Sequence, residues 1–388
     1  MSRRIEDIEL LRGVGILYVL AEHALGNLIF WPSPGIEHLY SYARGASGVD
    51  LFFAISGFVI ARDLLPRLLD SPSMGAFVYT TLAFWVRRIW RIFPSAWLWL
   101  AIILLATAFF NHSGAFGPFR SALNGTFAAV LQLANFGFAL CFGQVGPNVC
   151  GANFYYWSLS LEEQFYMLLP LTALLFRKWL PLVLAVLVVY LITYPDRSML
   201  GSMIRGDALL LGVLIAYWSG KPSYRLVEPR FLAGSLAARF IVTIGLFAAL
   251  AVAATFFPGK LAPFRLGIIA VVAALLVFIA SYDRNYLVMP SPLRNFMLWL
   301  GSRSCTIYLI HIPAFFATRE IWYRISTAGT KFDAAYNLPF SLTAATIILV
   351  CCEINFRFVE APFRRRGAEI SKRLLQRHQI PPRQVAET

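Results

Sequence analysis

The stretch Leu10-Leu11-Arg12-Gly13-Val14-Gly15-Ile16-Leu17-Tyr18-Val19-Leu20-Ala21-Glu22-His23-Ala24 decides the architecture, because it is apolar enough for a membrane yet carries an arginine and a histidine. The apolar run it belongs to covers residues 10–30, long enough as a helix to cross a hydrocarbon core of about 30 Å. A charge at the bilayer centre costs about 3 kcal/mol on insertion scales, so such groups usually face a polar cavity and serve a function. Arg12 and His23 are close to three whole turns apart, which puts them on one helix face about 16 Å from each other. That spacing points to an anion contact near one membrane surface and a proton-handling group deeper in.

The rest of the chain extends the same reading. Of its 388 residues 59% are hydrophobic and only 14% charged, whereas a soluble domain carries about a quarter charged. The mean hydropathy is +0.65. The apolar excess is spread along the whole length, so the expected fold is an all-α polytopic integral membrane protein. Ten spans are predicted, at 10–30, 48–66, 92–110, 155–176, 179–194, 203–219, 239–257, 264–281, 296–318 and 338–358. The fifth and sixth are separated only by the short break Tyr194-Pro195-Asp196-Arg197. Lys and Arg concentrate in alternate loops, which sets an N-in, C-in orientation by the positive-inside rule. The net charge of +14 is therefore not a nucleic-acid footprint, which needs a contiguous basic face outside the membrane. The leader carries Glu6, Asp7 and Glu9 and its apolar run is too long for a cleaved signal peptide.

Residues 1–363 are expected to form one transmembrane domain with an external loop at about 111–154, folded as a cap. Residues 364–388 read as a basic cytoplasmic tail, with Arg364, Arg365, Arg366, Lys372, Arg373 and Arg377 resting on anionic lipid. Cys141 and Cys150 share the external loop, where an oxidising compartment permits a disulfide. Cys305, Cys351 and Cys352 read as apolar packing residues.

Each charged motif has two readings. Arg12 either snorkels to the headgroups or contacts an anionic cofactor. His23 either bonds a neighbour or, with its near-neutral pKa, serves as the general base that deprotonates a hydroxyl. Arg88 and Arg91, in Arg87-Arg88-Ile89-Trp90-Arg91, share a helix surface at i, i+3. They either set orientation or present two guanidinium forks to phosphate. The fourth span opens with Trp157-Ser158-Leu159-Ser160-Leu161-Glu162-Glu163-Gln164, in which a serine and a glutamate either form a capping box or leave Glu162 for chemistry. Asp50 opens the second span as an N-cap, an arginine partner or a catalytic carboxylate. His311 reads as packing, and Glu360 as a helix-end ion pair near Arg357 and Arg364. No His/Cys/carboxylate cluster has metal-ligand spacing, so no metal is expected.

Taken together these strings resemble the membrane acyltransferase-3 family. Ile8-Glu9-Leu10-Leu11-Arg12-Gly13-Val14 is similar to its opening motif, Arg12 and His23 reproduce its Arg-x10-His arrangement, and Arg88-Ile89-Trp90-Arg91 its RxxR. Gly48-Val49-Asp50-Leu51-Phe52-Phe53, Trp157-Ser158-Leu159-Ser160-Leu161-Glu162-Glu163, Tyr308-Leu309-Ile310-His311 and Val359-Glu360-Ala361-Pro362 follow in order, over roughly residues 5–365. The resemblance implies ten membrane helices and acyl transfer, usually of acetyl from acetyl-CoA, to a hydroxyl of a glycan. It implies that Arg12, Arg88 and Arg91 hold the CoA phosphates on the cytoplasmic side and that His23 acts as base, directly on the acceptor or through an acyl intermediate; Asp50 and Glu162 join His23 as catalytic candidates. The chain ends soon after the tenth predicted span, so a stand-alone enzyme without an SGNH esterase domain is expected.

The expected function is O-acylation of a surface or exported polysaccharide, or of a lipid-linked glycan, in a bacterial inner membrane. Other acceptors (a lipid, an antibiotic or a glucan, with acetyl or succinyl) are the near alternative. From a different class comes a transporter or flippase whose buried charges line a route.

Overall fold

The computed structural model describes residues 5–145, 150–195, 197–255, 259–327 and 329–377. Asp196 of the predicted break and residues 378–388 of the predicted tail lie outside the described residues. The described residues form helices and turns, with no strand among them. In chain order come α1 (Glu6–Ala24), α2 (Pro34–Tyr42), α3 (Gly48–Leu69), α4 (Met74–Phe109), α5 (Phe119–Val130) and α6 (Ala134–Val145). They are followed by α7 (Tyr156–Phe176), α8 (Leu180–Thr193), the short α9 (Met199–Met203), α10 (Asp207–Ser219), and the short α11 (Pro222–Leu226) and α12 (Phe231–Gly234). The last are α13 (Leu236–Ala253), α14 (Arg265–Ala280), α15 (Ser291–Ile325), α16 (Asn337–Asn355) and α17 (Ala361–Arg377).

Each predicted span coincides with one of these helices, and six helical stretches are long and apolar enough to cross a membrane. The chain is an all-α polytopic membrane protein. Three boundaries differ from the sequence reading. First, α1 stops at Ala24, short of residue 30, because Gly26 turns left-handed at φ 80° and the Asn27 amide donates back to the His23 carbonyl at 2.9 Å. His23 therefore occupies the last turn of its helix. Second, α4 has 36 residues, about 54 Å at 1.5 Å each, so its first half outruns the hydrocarbon layer. Third, the helix entered at Asn337 does not end near residue 358. It passes through a π-helical segment, Phe356–Glu360, into α17. Pro362 supplies no amide hydrogen, and a π turn is one way a helix absorbs such a missing bond.

Close helix contacts set the register of the centre. α1 lies against α15, where a Cβ added to Gly301 would sit 1.9 Å from the Glu9 carbonyl oxygen. Only hydrogen fits there, so small residues bring the two backbones together as they do in membrane bundles generally. At the end of the bundle where α1 begins, α17 docks along the first half of α4. Trp90 stacks on Phe363 at 5.7 Å, and a Cβ on Gly367 would meet the Trp90 Cβ at 2.4 Å. The arginines from 364 onward thus start as a packed helix, with Arg365, Arg366, Lys372, Arg373 and Arg377 on its exposed side.

At the opposite end α5 and α6 fold the described residues of the 111–154 loop into a helical cap, and Cys141 and Cys150 are joined as a disulfide. Glu320, beyond the predicted end of the ninth span, pins this cap. Its carboxylate accepts from the amides of His112 at 2.9 Å and Ser113 at 2.7 Å and from Arg324 at 2.7 Å.

Candidate active site

Two polar centres share the interior. The first is a cavity lined by Arg12 of α1 and by Arg88 and Arg91 of α4. Arg12 is bonded to Glu9 at 3.0 Å, one turn earlier on its own helix. Arg88 lies over the rings of Tyr166 at 5.2 Å and Phe84 at 5.5 Å. Among the described residues neither Arg88 nor Arg91 has a carboxylate at ion-pair distance, although both guanidinium groups line the cavity. Two half-buried cations with no carboxylate in direct contact leave room for an anionic ligand. Cys305 of α15 lines the same cavity.

The wall of the cavity is built by the start of α7. Glu162 accepts hydrogen bonds from the Ser56 and Tyr166 hydroxyls. No capping box forms: the residue before α7 is Tyr155, which makes no side-chain cap bond. Ser158 instead donates to the Tyr308 hydroxyl oxygen at 2.5 Å, and Ser160 accepts from the Ala134 amide at 3.2 Å. Glu163 points away from this cavity, is buried, and keeps one oxygen without a partner. Ser158 and Tyr308 close the cavity's far end. There two tyrosines lock across α7 and α15. The Tyr308 hydroxyl donates to the Tyr155 carbonyl at 2.8 Å, and the Tyr155 hydroxyl donates to the Leu309 carbonyl at 2.7 Å.

Beyond this seam lies the second centre. His23 Nδ1 is 2.9 Å from His311 Nε2, and the rings stack at 5.0 Å between centroids with 25° between planes. His311 is fully buried and its Nδ1 is 2.6 Å from the Tyr308 carbonyl oxygen. His23 is half-buried, with Phe154 edge-on at 5.7 Å. Sequence reasoning left His311 as packing because its partner is 288 residues away. The one available signal was its ionisable side chain inside an apolar helix.

Of the remaining candidates, Asp50 stands apart. Both its oxygens are bound by Arg205, at 2.8 and 3.0 Å, and it does not line the cavity. Of its three readings it occupies the arginine-partner one; Arg205 in turn covers the Trp157 ring at 4.8 Å. Glu360 accepts from Thr306 at 2.5 Å and Arg364 at 3.4 Å, as a helix-end ion pair, while Arg357 turns to Glu353 at 2.6 Å. The structure thus brings Arg12, Arg88, Arg91 and Glu162 to one cavity, His23 to a second site, and Asp50 to neither.

Comparison with known proteins places the chain in a family. Residues 5–354 match the family described as an acyltransferase domain. The peptidoglycan O-acetyltransferase OatA of Listeria monocytogenes is 27% identical over 94% of this chain and 56% of its own length. The putative peptidoglycan O-acetyltransferase YrhL of Bacillus subtilis is 26% identical, over 97% and 58%. The O-acetyltransferase OatA of Staphylococcus aureus is 24% identical, over 83% and 53%. The chain spans a little over half the length of these relatives. No solved structure matches it.

Proposed function

Because this chain belongs to the acyltransferase-3 family, we propose that it transfers an acyl group, in the first instance acetyl, from cytosolic acyl-CoA to a hydroxyl of an extracytoplasmic glycan. The observation that carries this is the division of the interior: Arg88 and Arg91, with no carboxylate at ion-pair distance among the described residues, on one side of the Tyr155–Tyr308 seam and a histidine pair on the other. Arg88 and Arg91, with Arg12, hold the phosphates of CoA, and the pantetheine arm follows the cavity towards Ser158 and Tyr308. His23 takes the proton of the acceptor hydroxyl. The oxygen attacks the thioester carbonyl, the C–S bond breaks, and the CoA thiolate leaves with a proton returned from the imidazolium. For that step the tyrosine seam has to part, since it lies between donor and base. Glu162, held by two hydroxyls, offsets the positive charge of the arginines in the cavity wall. The protein works in a bacterial cytoplasmic membrane with both termini inside. Its acceptor is a cell-wall or exported glycan, as the names of its relatives suggest.

The test is acetyl-CoA binding and acetyl transfer by the purified protein in nanodiscs. Arg91→Ala should weaken acetyl-CoA binding at least tenfold, and His23→Ala should abolish transfer while leaving that binding intact. Unchanged binding in the arginine variant, or normal turnover in the histidine variant, removes the corresponding role.

A further inference from the structure

We infer that His311 is the positioning residue that fixes the tautomer of His23 and leaves a bare nitrogen facing the acceptor. The inference rests on the reading of His23 as base. It begins at a backbone carbonyl. The Tyr308 oxygen can only accept, so the His311 Nδ1 at 2.6 Å from it carries the hydrogen. A neutral imidazole protonated at Nδ1 has its lone pair at Nε2, and in His311 that atom lies 2.9 Å from His23 Nδ1. The bond between the rings is then donated by His23, whose Nδ1 holds its hydrogen. The lone pair of His23 is left on Nε2. That nitrogen has no hydrogen-bond partner among the described residues, and it belongs to a half-buried ring.

The order of bonds is therefore carbonyl, His311, His23, acceptor hydroxyl, with every hydrogen pointing towards the carbonyl end. The reverse arrangement, with His311 donating from Nε2, would place the hydrogen of a neutral His23 on Nε2 and leave no base. Once His23 has taken the acceptor's proton, its Nδ1–H becomes a charge-assisted donor to His311. His311 thus does what the aspartate does in a Ser-His-Asp triad, orienting the base and supporting the imidazolium, but as a neutral acceptor. Burial suits that choice, since an ionised carboxylate in this apolar setting would carry a desolvation penalty.

The test compares His311→Leu, which fills the space without an acceptor, with His311→Gln, whose amide oxygen can still accept from His23. In nanodiscs, His311→Leu should lower kcat about a hundredfold or more with acetyl-CoA affinity unchanged, and His311→Gln should recover most of the loss. Nitrogen-15 spectra of histidine-labelled protein should show His23 protonated at Nδ1 in the wild type and in His311→Gln, and shifted towards the Nε2–H form in His311→Leu. Full turnover in His311→Leu, a wild-type His23 protonated at Nε2, or equal loss in both variants with the tautomer unchanged would each overturn the assignment. Because the tautomer is read without turnover, a protein that transfers no acyl group would sink the acyltransferase reading while leaving this one to the spectra.

Discussion

Asp50 and Arg205 bury opposite charges in a two-bond pair, and removing one partner of such a pair strands the other. Asp50→Asn should therefore cost about 3 kcal/mol of stability, read as a lower thermal midpoint in detergent. Combining it with Arg205→Met, which removes the stranded cation, should recover part of the loss. If Asp50→Asn instead kept its midpoint and lost kcat, Asp50 would be catalytic. The sequence made Arg12, His23, Arg88 and Arg91 conspicuous because a charge among apolar residues needs a reason that a single string displays. It could not assign Asp50 or His311, whose meanings lie in partners 155 and 288 residues away. Ser158 and Ser160 misled for a related reason. Their spacing to the glutamates fits a local cap, but tertiary partners on α15 and at the start of α6 take their hydroxyls.

At the scale of helices, the distance between His23 and His311 depends on how closely α1 approaches α15, and that approach depends on Gly301. Gly301→Ala places a methyl against the Glu9 carbonyl and forces the helices apart. Overpacking of this kind costs about 1–3 kcal/mol, and a shift near 1 Å in a catalytic pair can cost about a hundredfold in rate. Thermal unfolding and turnover measured on one nanodisc preparation check both; wild-type values in each would mean that the helices do not meet there. Helix existence was legible from apolar run length, and helix ends were not. α1 ends two residues before a left-handed glycine inside the apolar run, whereas α17 carries at its second position a proline that looked like a terminator. The docking of α17 behind Arg88 and Arg91 was invisible for another reason. Its composition is that of a lipid-facing tail, and its contact with α4 uses Phe363, Gly367 and Trp90 rather than its charges.

Across the whole molecule, the helical cap is tied to α15, the helix that carries His311, through Glu320. Burial would raise the pKa of this carboxyl, but the hydrogen bonds from Ser113, Arg324 and His112 outweigh it and hold the group down to about 2. A carboxyl depressed by folding stabilises above its ordinary value near 4.5 and stops doing so as pH falls towards the folded value. Hydrogen exchange of residues 111–117 should thus stay slow at neutral pH and quicken, after correction for intrinsic rates, between about pH 4.5 and 2. Glu320→Gln should show faster exchange already at neutral pH; protection that survives both treatments would detach Glu320 from the cap. One consequence of the tyrosine seam belongs to the cell as much as to the enzyme. A polar shaft running from the arginines to the histidines would be a leak, dissipating the proton gradient across the membrane that houses it. With each phenol bonded to the backbone across the seam, such a shaft is shut at its middle, and the two centres are kept apart until the seam opens.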